Sequence, residues 1–303
     1  MALSKAVDEA EPDERLVRLL LRMGASPGAN DGKALVAATR KAAPACLACF
    51  LEQRGLSEED IGRAFDQSFS AEAFETWFTE AGLATARMLL ERGARGRAVS
   101  SALVLVMTRS TAETRQLADR FFDLLVVHGP DVDGGGGELL RQAASKADVG
   151  WTRRLLECRP SASTLSLAFQ CIFDTALPHD GALDLFRMFA DYQGDGDGRM
   201  DALMGAQGPE PVLVRAISRY PRSTKILAAL LDAGFYHDQA TRQRVDADVD
   251  EEEDVTLLTW ALAQPQKRVS TGVIELLVER GGESCCACLV CGPRARTTTA
   301  DEA

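Results

Sequence analysis

The sequence contains few aromatic residues, an excess of acidic over basic residues and no long apolar run, and each feature excludes a class of protein. Phe, Trp and Tyr make up 6% of the 303 residues, and a core built mainly from Ala, Leu and Val suits thin helical layers better than a thick β-sandwich. Basic residues number 34 against 45 acidic ones, a net charge of −11, whereas a surface that binds nucleic acid is basic. No stretch reaches the roughly 18 apolar residues of a membrane-spanning helix. Because the first residues also lack the apolar core of a signal peptide, we expect a cytoplasmic or nuclear protein that is not secreted.

Strand signals are scarce as well, since no sustained alternation of apolar and polar residues is bounded by turn residues. The eight cysteines are not spaced as in the disulfide framework of a small secreted domain. These absences predict an all-α protein.

One short pattern, an amphipathic helix that ends at a glycine, recurs along the chain. When the copies are aligned on the glycine, most alignment columns hold one kind of residue. Counting back from the glycine, the columns are a variable position, a mostly charged position, three consecutive apolar columns, a mostly polar column and a further apolar column. Apolar residues three and four apart form one face of a helix, and the residue just after a helix often adopts the left-handed conformation that favours glycine. Because so short a helix is marginal alone, these helices are expected to stack. The glycines are Gly24, Gly93, Gly129, Gly234 and Gly281.

Weaker copies and a preceding helix complete the repeating unit. Residues 46–56 fit if one residue is inserted before Gly55, residues 152–160 fit with Arg159 in the glycine position, and residues 183–192 lack a glycine. The endings are then roughly 30 to 47 residues apart, within the range of repeat arrays. Each is preceded by a short helical stretch, at 33–42, 97–107, 137–147, 164–173 and 255–264.

The unit resembles the ankyrin repeat, whose first helix opens with "TPLHxA" and whose second ends with "LLxxGA". Residues 15–38, "RLVRLLLRMGASPGANDGKALVAA", are similar to the family's junction between repeats, including the Asn30-Asp31-Gly32 turn. Residues 256–261, "TLLTWA", keep the Thr, Leu and Ala of the opening motif. No copy keeps the Pro-Leu-His centre, and several loops are longer than the family's. TPR, HEAT or an irregular α-solenoid are the alternatives, although the TPR signature of bulky aromatics and proline at a 34-residue period is absent.

The resemblance implies an ankyrin-like helical solenoid of about eight irregular helix-pair repeats, with variable loops, extending over residues 1–284 as one elongated domain. Residues 285–303 are then a cysteine-containing tail, predicted to be disordered. The expected function is a non-catalytic scaffold that binds another protein through the concave face and loops. A structural segment of a longer polypeptide and an enzyme on a helical scaffold are the alternatives. The sequence identifies neither the partner nor the oligomeric state, and it implies no cofactor.

An acidic run lies within an extended connection from about residue 237 to residue 254. Such runs usually remain solvated and mobile, but this one could also contact a partner with a basic surface. The candidate partner-binding residues are Asp246, Asp248, Asp250, Glu251, Glu252, Glu253 and Asp254. A second unusual cluster, Phe74, Trp77 and Phe78, is interpreted mainly as core filling, with an exposed partner contact as the alternative.

Cysteine clusters are the first candidates for a metal site. The weak candidates are Cys285, Cys286, Cys288 and Cys291, whereas structural zinc sites prefer two separated pairs. Lipidation or an oxidation-prone tail are alternatives for them. Cys46 and Cys49 form a C-x-x-C, but they occupy apolar columns of a helix and are interpreted as small core residues.

The remaining chemical signals are weak. His128, His179 and His237 have no nearby acid and nucleophile arranged as a recognisable site, and a charged His128 would be mildly favoured in the last turn of its helix. The glycines of 131–140 precede a helix but lack the G-K-[ST] of a phosphate loop. Residues 191–201 alternate Asp and Gly but lack the closing Glu of a calcium loop. Both stretches are predicted to be connections.

Overall fold

A computed structural model describes residues 2–8, 13–53, 56–192, 211–235, 241–246, 249–264 and 268–281. These residues form helices and one two-stranded hairpin, so the prediction of a helical chain is confirmed in its main part. Among the helices described, none is both long and apolar enough to cross a membrane. The chain divides into two compact units, with the boundary between Cys171 and Ile172.

Unit 1 holds eleven complete helices among its described residues and the start of a twelfth. They are α1 (Ala2–Asp8), α2 (Glu14–Arg22), α3 (Ala29–Arg40), α4 (Pro44–Leu51), α5 (Glu58–Ser68), α6 (Phe74–Trp77), α7 (Glu80–Glu91), α8 (Arg97–Arg109), α9 (Arg115–Val127), α10 (Gly134–Ser145), α11 (Val149–Glu157) and α12 (Ala162–Asp174), which crosses the boundary.

The helices of unit 1 pack in two rows. The opening row consists of α1, α3, α5, α8 and α10, and each of these helices contacts the next one in the row. The closing row consists of α2, α4, α7, α9 and α11, which also contact one another in succession. Each opening helix contacts the closing helix that follows it, so the core of unit 1 lies between the two rows.

Burial follows two of the apolar columns more closely than the others. In the second of the three consecutive apolar columns, Leu89 and Leu125 are buried, and in the further apolar column, Val17 and Phe122 are buried. Each such side chain contributes roughly 1.5–3 kcal/mol to folding. The third apolar column is only half-buried or exposed in the described copies, because residues turn by 100° along a helix and three consecutive ones cannot all face the same core.

The predicted left-handed residues after the closing helices are found at four of the five glycines. Gly24, Gly93, Gly129 and Gly234 have φ between 71° and 111°. Arg159, which occupies the glycine position of a weaker copy, has φ of 56°. The last helix extends to Gly281 itself, one residue beyond the expected end; helix ends commonly differ by one or two residues from a pattern-based boundary.

The aromatic cluster belongs to the core of unit 1. Phe74, Trp77 and Phe78 are all buried, which confirms the interpretation of core filling. The Trp77 ring lies edge-on to Phe121 of α9, at 5.5 Å between centroids, and its indole N–H donates to the carbonyl oxygen of Ser70 at 3.0 Å. These contacts attach the short helix α6 to the closing row.

Unit 2 holds the end of α12 and a smaller set of helices. They are α13 (His179–Asp191), α14 (Val212–Arg219), α15 (Thr224–Asp232), α16 (Leu257–Ala263) and α17 (Thr271–Gly281), with strands β1 (Thr241–Asp246) and β2 (Val249–Val255). Within this unit, α13, α15 and α17 contact in succession and form a closing row, while α14 contacts α16.

The hairpin, which the prediction of an all-α chain did not include, lies in the extended connection expected from about residue 237 to residue 254. Strands β1 and β2 pair antiparallel, with Arg242 opposite Asp254 and Arg244 opposite Glu252. Opposite charges at facing positions stabilise a strand pair, whereas neither strand shows apolar alternation. The pairing therefore depends on matching charges in two separate segments. The acidic run by itself does not predict it.

Candidate functional site

An open groove crosses the exposed face of α8 in unit 1 and has a volume of about 630 Å³. The end of α5 forms one wall, and the loop before α10 with the first turn of that helix forms the other. The lining residues are Asp66, Phe69, Ser70, Ala71, Arg97, Ser100, Ser101, Val104, Leu105, Asp131, Gly134, Gly135, Glu138 and Leu139.

The wall at α10 is held by short hydrogen bonds and by left-handed backbone. Ser100 accepts a hydrogen bond from the Asp131 N–H at 2.8 Å, and the Asp131 carboxylate accepts one from the Gly134 N–H at 3.0 Å. Gly135, Gly136 and Gly137 have φ of 63°, 67° and 72°, a conformation in which a side chain is disfavoured. The glycine-rich stretch is thus an ordered turn into α10.

A second set of hydrogen bonds fixes the same loop to the start of α12. The Asp133 Oδ1 atom accepts from both the N–H and the hydroxyl of Ser161, each at 2.8 Å. Burial alone would raise the pKa of Asp133, but hydrogen bonds from Thr164 and Ser161 hold it below its usual value. The loop that lines the groove is therefore preorganised at neutral pH.

The groove combines an apolar floor with an excess of negative charge. Phe69 and Leu139 are buried beneath it. The lining residues include the three carboxylates of Asp66, Asp131 and Glu138 against the single guanidinium of Arg97. Such a surface attracts a cation that carries an apolar stem, as Lys and Arg side chains do.

The structure places the predicted acidic run at the end of β1 and in β2. The predicted residues are Asp246, Asp250, Glu251, Glu252, Glu253 and Asp254 in the strands, and Asp248, which lies outside the described residues. Glu252 and Asp254 occupy register positions opposite the two arginines of β1. The run therefore has two of its seven acids at register positions opposite basic residues, and its contact with a basic partner stays a prediction.

A Ser–His–Asp arrangement, which sequence spacing did not reveal, occurs in unit 2. His179 Nε2 lies 2.5 Å from the Ser223 hydroxyl, and His179 Nδ1 lies 3.1 Å from Asp180. The Ser223 hydroxyl also accepts the N–H of Ile226 at 3.1 Å and so caps α15. Ser223 is buried and Asp180 is fully exposed, so these contacts describe a helix-cap link between α13 and α15.

The surroundings of His128 disfavour its charged form, contrary to the expectation from the sequence. Burial lowers the pKa of His128, and the charge of Arg95 lowers it further. The helix end was expected to favour the charged form, but burial at this position outweighs that effect.

The cysteines of the described chain are packed rather than clustered as ligands. Cys46 and Cys49 are buried, in agreement with a core role, and burial raises the pKa of both thiols. Within the described residues no group of three or more His, Cys, Asp or Glu side chains could hold a metal ion. The candidates Cys285, Cys286, Cys288 and Cys291, like His237 and most of the 191–201 stretch, lie outside those residues.

Comparison with known proteins adds no relative: the chain matches no protein-family model, no curated protein and no solved structure.

Proposed function

We propose that the chain is an ankyrin-like repeat array that acts as a non-catalytic scaffold and binds a basic segment of another protein in the groove across α8. The observation that carries the proposal is the groove itself, an apolar floor with three carboxylates and one guanidinium on its walls. We place this function in the cytoplasm or nucleus.

The repeat assignment is supported by the agreement between sequence pattern and packing. The closing helices α2, α7 and α9 carry the repeated ending, are followed by left-handed glycines, and lie in a single row. In repeat arrays each unit contacts its neighbours, and insertions fall in the connections. The α8 groove lies on the opening row, which corresponds to the concave face of ankyrin arrays under this assignment.

The choice of a basic partner follows from the charge of the groove and from the fixed conformation of its walls. Asp66, Glu138 and Arg97 are exposed, and no ion pair within the described chain neutralises either of these two carboxylates. The groove walls are held by backbone and side-chain hydrogen bonds before a partner arrives, so little ordering entropy is lost from the scaffold on binding. An arginine or lysine side chain could place its stem over Val104 and Leu105 and its charge near the carboxylates.

A random peptide library displayed on phage and selected on the immobilised full chain tests the proposal. We expect enriched peptides to contain Arg or Lys, and we expect Asp66→Lys to weaken their binding at least about tenfold, or 1.4 kcal/mol. Glu91→Lys is the matched control, because Glu91 is also an exposed acid in the last turn of a helix but lies away from the groove.

Two outcomes would count against the proposed site. Equal loss of binding in Asp66→Lys and Glu91→Lys would mean that only net charge matters. Failure to enrich any peptide would favour the alternative of a structural segment without a partner of its own.

A further inference from the structure

We propose that the groove across α8 binds an extended segment of another protein in which two basic side chains lie six residues apart, one at each end of the groove. The inference rests on the proposed function, since it specifies the basic segment that the scaffold would bind. It follows from the alignment of the three helices around the groove and from the positions of the carboxylates along it.

The helices α5, α8 and α10 run parallel to one another. In the first turn of α8, the Ser100 hydroxyl accepts the N–H of Asp131, just before α10, at 2.8 Å. At the opposite end, Lys146, just after α10, donates to a carbonyl oxygen near the end of α8. Arg109, the last residue of α8, donates to the carbonyl oxygen of Ala71, just after α5, at 2.7 Å. The beginnings of α8 and α10 therefore lie together, and so do the ends of α5 and α8.

The groove crosses these parallel helices diagonally. Its lining residues come from the last turn of α5 with the loop after it, and from the loop before α10 with the first turn of that helix. Between these two parts the groove follows α8 from Arg97 to Leu105. One end of the groove therefore lies at the end of α5, and the other lies at the start of α10.

The buried residues of the three helices show how far the two ends are offset along the helix axes. Buried residues at positions i, i+3 and i+4 begin at Ile61 in α5, at Val99 in α8 and at Leu140 in α10, so these three positions lie at one level. Asp66 lies five residues after this level and Glu138 lies two residues before it. The offset is therefore seven residues, or about 10 Å at 1.5 Å per residue.

The spacing of the helices completes the distance between the two ends. Neighbouring helix axes lie about 8–10 Å apart, and the groove spans two such steps, from α5 to α8 and from α8 to α10. Combined with the offset along the axes, these steps place Asp66 and Glu138 about 20 Å apart.

The dimensions of the groove favour an extended chain over a helix. A volume of about 630 Å³ spread over a length of about 20 Å gives a mean cross-section of about 30 Å², whereas a helix with its side chains is about 10–12 Å wide, a cross-section of roughly 80–110 Å². An extended segment therefore fits within the groove, and a helix would have to lie above it.

Each end of the groove has one negative charge in excess. At the α5 end, Asp66 is the only charged residue among those that line the groove. At the α10 end, carboxylate oxygens of Asp131 and Glu138 lie 2.7 and 3.3 Å from where Cβ atoms of two consecutive glycines would be, so the two carboxylates share one end. Arg97, at the start of α8, also lines this end and offsets one of the two charges.

The stretch between the two ends is neutral and sets the spacing of the cations. It is lined by Ser100, Ser101 and Val104, where a charge would lose hydration without gaining an ionic partner. In an extended chain, successive residues rise about 3.3 Å and alternate between two faces, so residues i and i+6 face the same side about 20 Å apart. Two basic residues at this spacing would reach both ends at once, with uncharged residues between them.

Fluorescence anisotropy of labelled synthetic peptides with the full chain tests the proposal. Each peptide carries two arginines in the same background of Thr, Val and Ser, with both ends blocked to remove the terminal charges. The peptides differ only in the arginine spacing, which is i+2, i+5, i+6 or i+10, so their net charge is equal. We expect the i+6 peptide to bind at least about threefold more tightly than each of the others.

Two conservative variants connect the spacing with its carboxylates. Asp66→Asn and Glu138→Gln should each weaken binding of the i+6 peptide at least about threefold, whereas Glu91→Gln, an exposed position away from the groove, should leave it unchanged. Asp131 is kept, because its carboxylate also holds the loop before α10. Circular dichroism would confirm that each variant is folded.

Replacing one arginine of the peptide at a time assigns each cation to one end. A peptide that keeps a single arginine should lose its sensitivity to one of the two variants and retain its sensitivity to the other, because each arginine faces one carboxylate end.

The outcomes separate this inference from the proposed function. The spacing is refuted if another peptide of the series binds as tightly as the i+6 peptide, or if removing either arginine reduces the effects of both variants equally. In both cases a basic partner in the groove would still stand. Absence of binding by every peptide overturns the spacing, and if the displayed library also yields no basic peptide, the proposed function fails with it.

Discussion

The close approach of Gly82 to Trp77 makes a sharp prediction about stability. A Cβ atom added at Gly82 would lie 1.7 Å from the carbonyl oxygen of Trp77, whereas real Cβ contacts do not fall below 3.0 Å. The carbonyl or the helix would therefore have to move by about 1.3 Å, the difference between these distances. Trp77 is 1% exposed, so it cannot move without disturbing the rings of Phe74 and Phe121 around it.

Overpacking of a core typically costs about 1–3 kcal/mol and occasionally more, and we expect Gly82→Ala to lie at or above the upper end of that range. The hydrogen bond from the Gly82 N–H to the Thr79 hydroxyl, at 3.1 Å, is available to alanine, so the loss is steric. The matched control is Gly62→Ala in α5, where an added Cβ meets nothing within 4 Å. That substitution should stabilise the helix by about 0.5–1 kcal/mol.

Thermal unfolding followed by near-ultraviolet circular dichroism and tryptophan fluorescence measures both variants. We expect a drop of at least about 6 °C for Gly82→Ala, from roughly 2 °C per kcal/mol in a chain of this size, and no drop for Gly62→Ala. Changes of the same sign and size in the two variants would refute the reasoning, because the two substitutions differ only in what the new methyl group meets.

Three further predictions concern the helix cap, a histidine and the hairpin. Ser223→Ala should lower the stability of unit 2 in urea unfolding by about 1 kcal/mol, and Ser223→Asp should retain most of it because Asp also caps helices; equal losses would contradict a cap. The folded-state pKa of His128 lies below its usual value, so the unfolded chain binds the proton more readily and stability should fall as the pH drops below about 6.5. His128→Asn should reduce this dependence, and an unchanged dependence would contradict the assignment. Arg244→Glu places like charges opposite each other in the register with Glu252 and should speed limited proteolysis between residues 241 and 255, whereas adding Glu252→Arg should reverse the effect.

The helical part of the fold could be predicted because the closing helices carry the same sequence pattern, apolar spacing followed by a position for a left-handed residue, within a few residues of each other. The left-handed residue after α11 is an arginine, yet its φ is 56°, as its alignment with the glycines predicted. Burial was less predictable, since the apolar columns look alike in the sequence. Leu125 is buried while Leu19, one column further from its glycine, is 53% exposed, because side-chain direction depends on the helix phase and on the neighbour that covers each side.

The candidate sites were harder to predict because they depend on contacts between distant segments. His179 and Ser223 meet across 44 residues, and no local pattern in either segment suggests the contact. The hairpin depends in the same way on arginines in one strand facing acids in the other. The sequence pattern correctly favoured a core role for Cys46 and Cys49, because that role follows from the helix on which they lie.

Linear charge density is therefore a poor guide to the surface that attracts a partner. Two positions of the densest acidic run in the chain, Glu252 and Asp254, stand in register with Arg244 and Arg242, and opposite charges at facing positions of a strand pair attract. Asp66, Asp131 and Glu138 are dispersed in the sequence, and none of them stands in a charge run, yet packing of α5, α8 and α10 brings all three to one groove. Because an attractive potential arises from charge that is not locally compensated, we expect neutralising these three carboxylates to reduce the binding of a basic peptide more than neutralising three acids of β2.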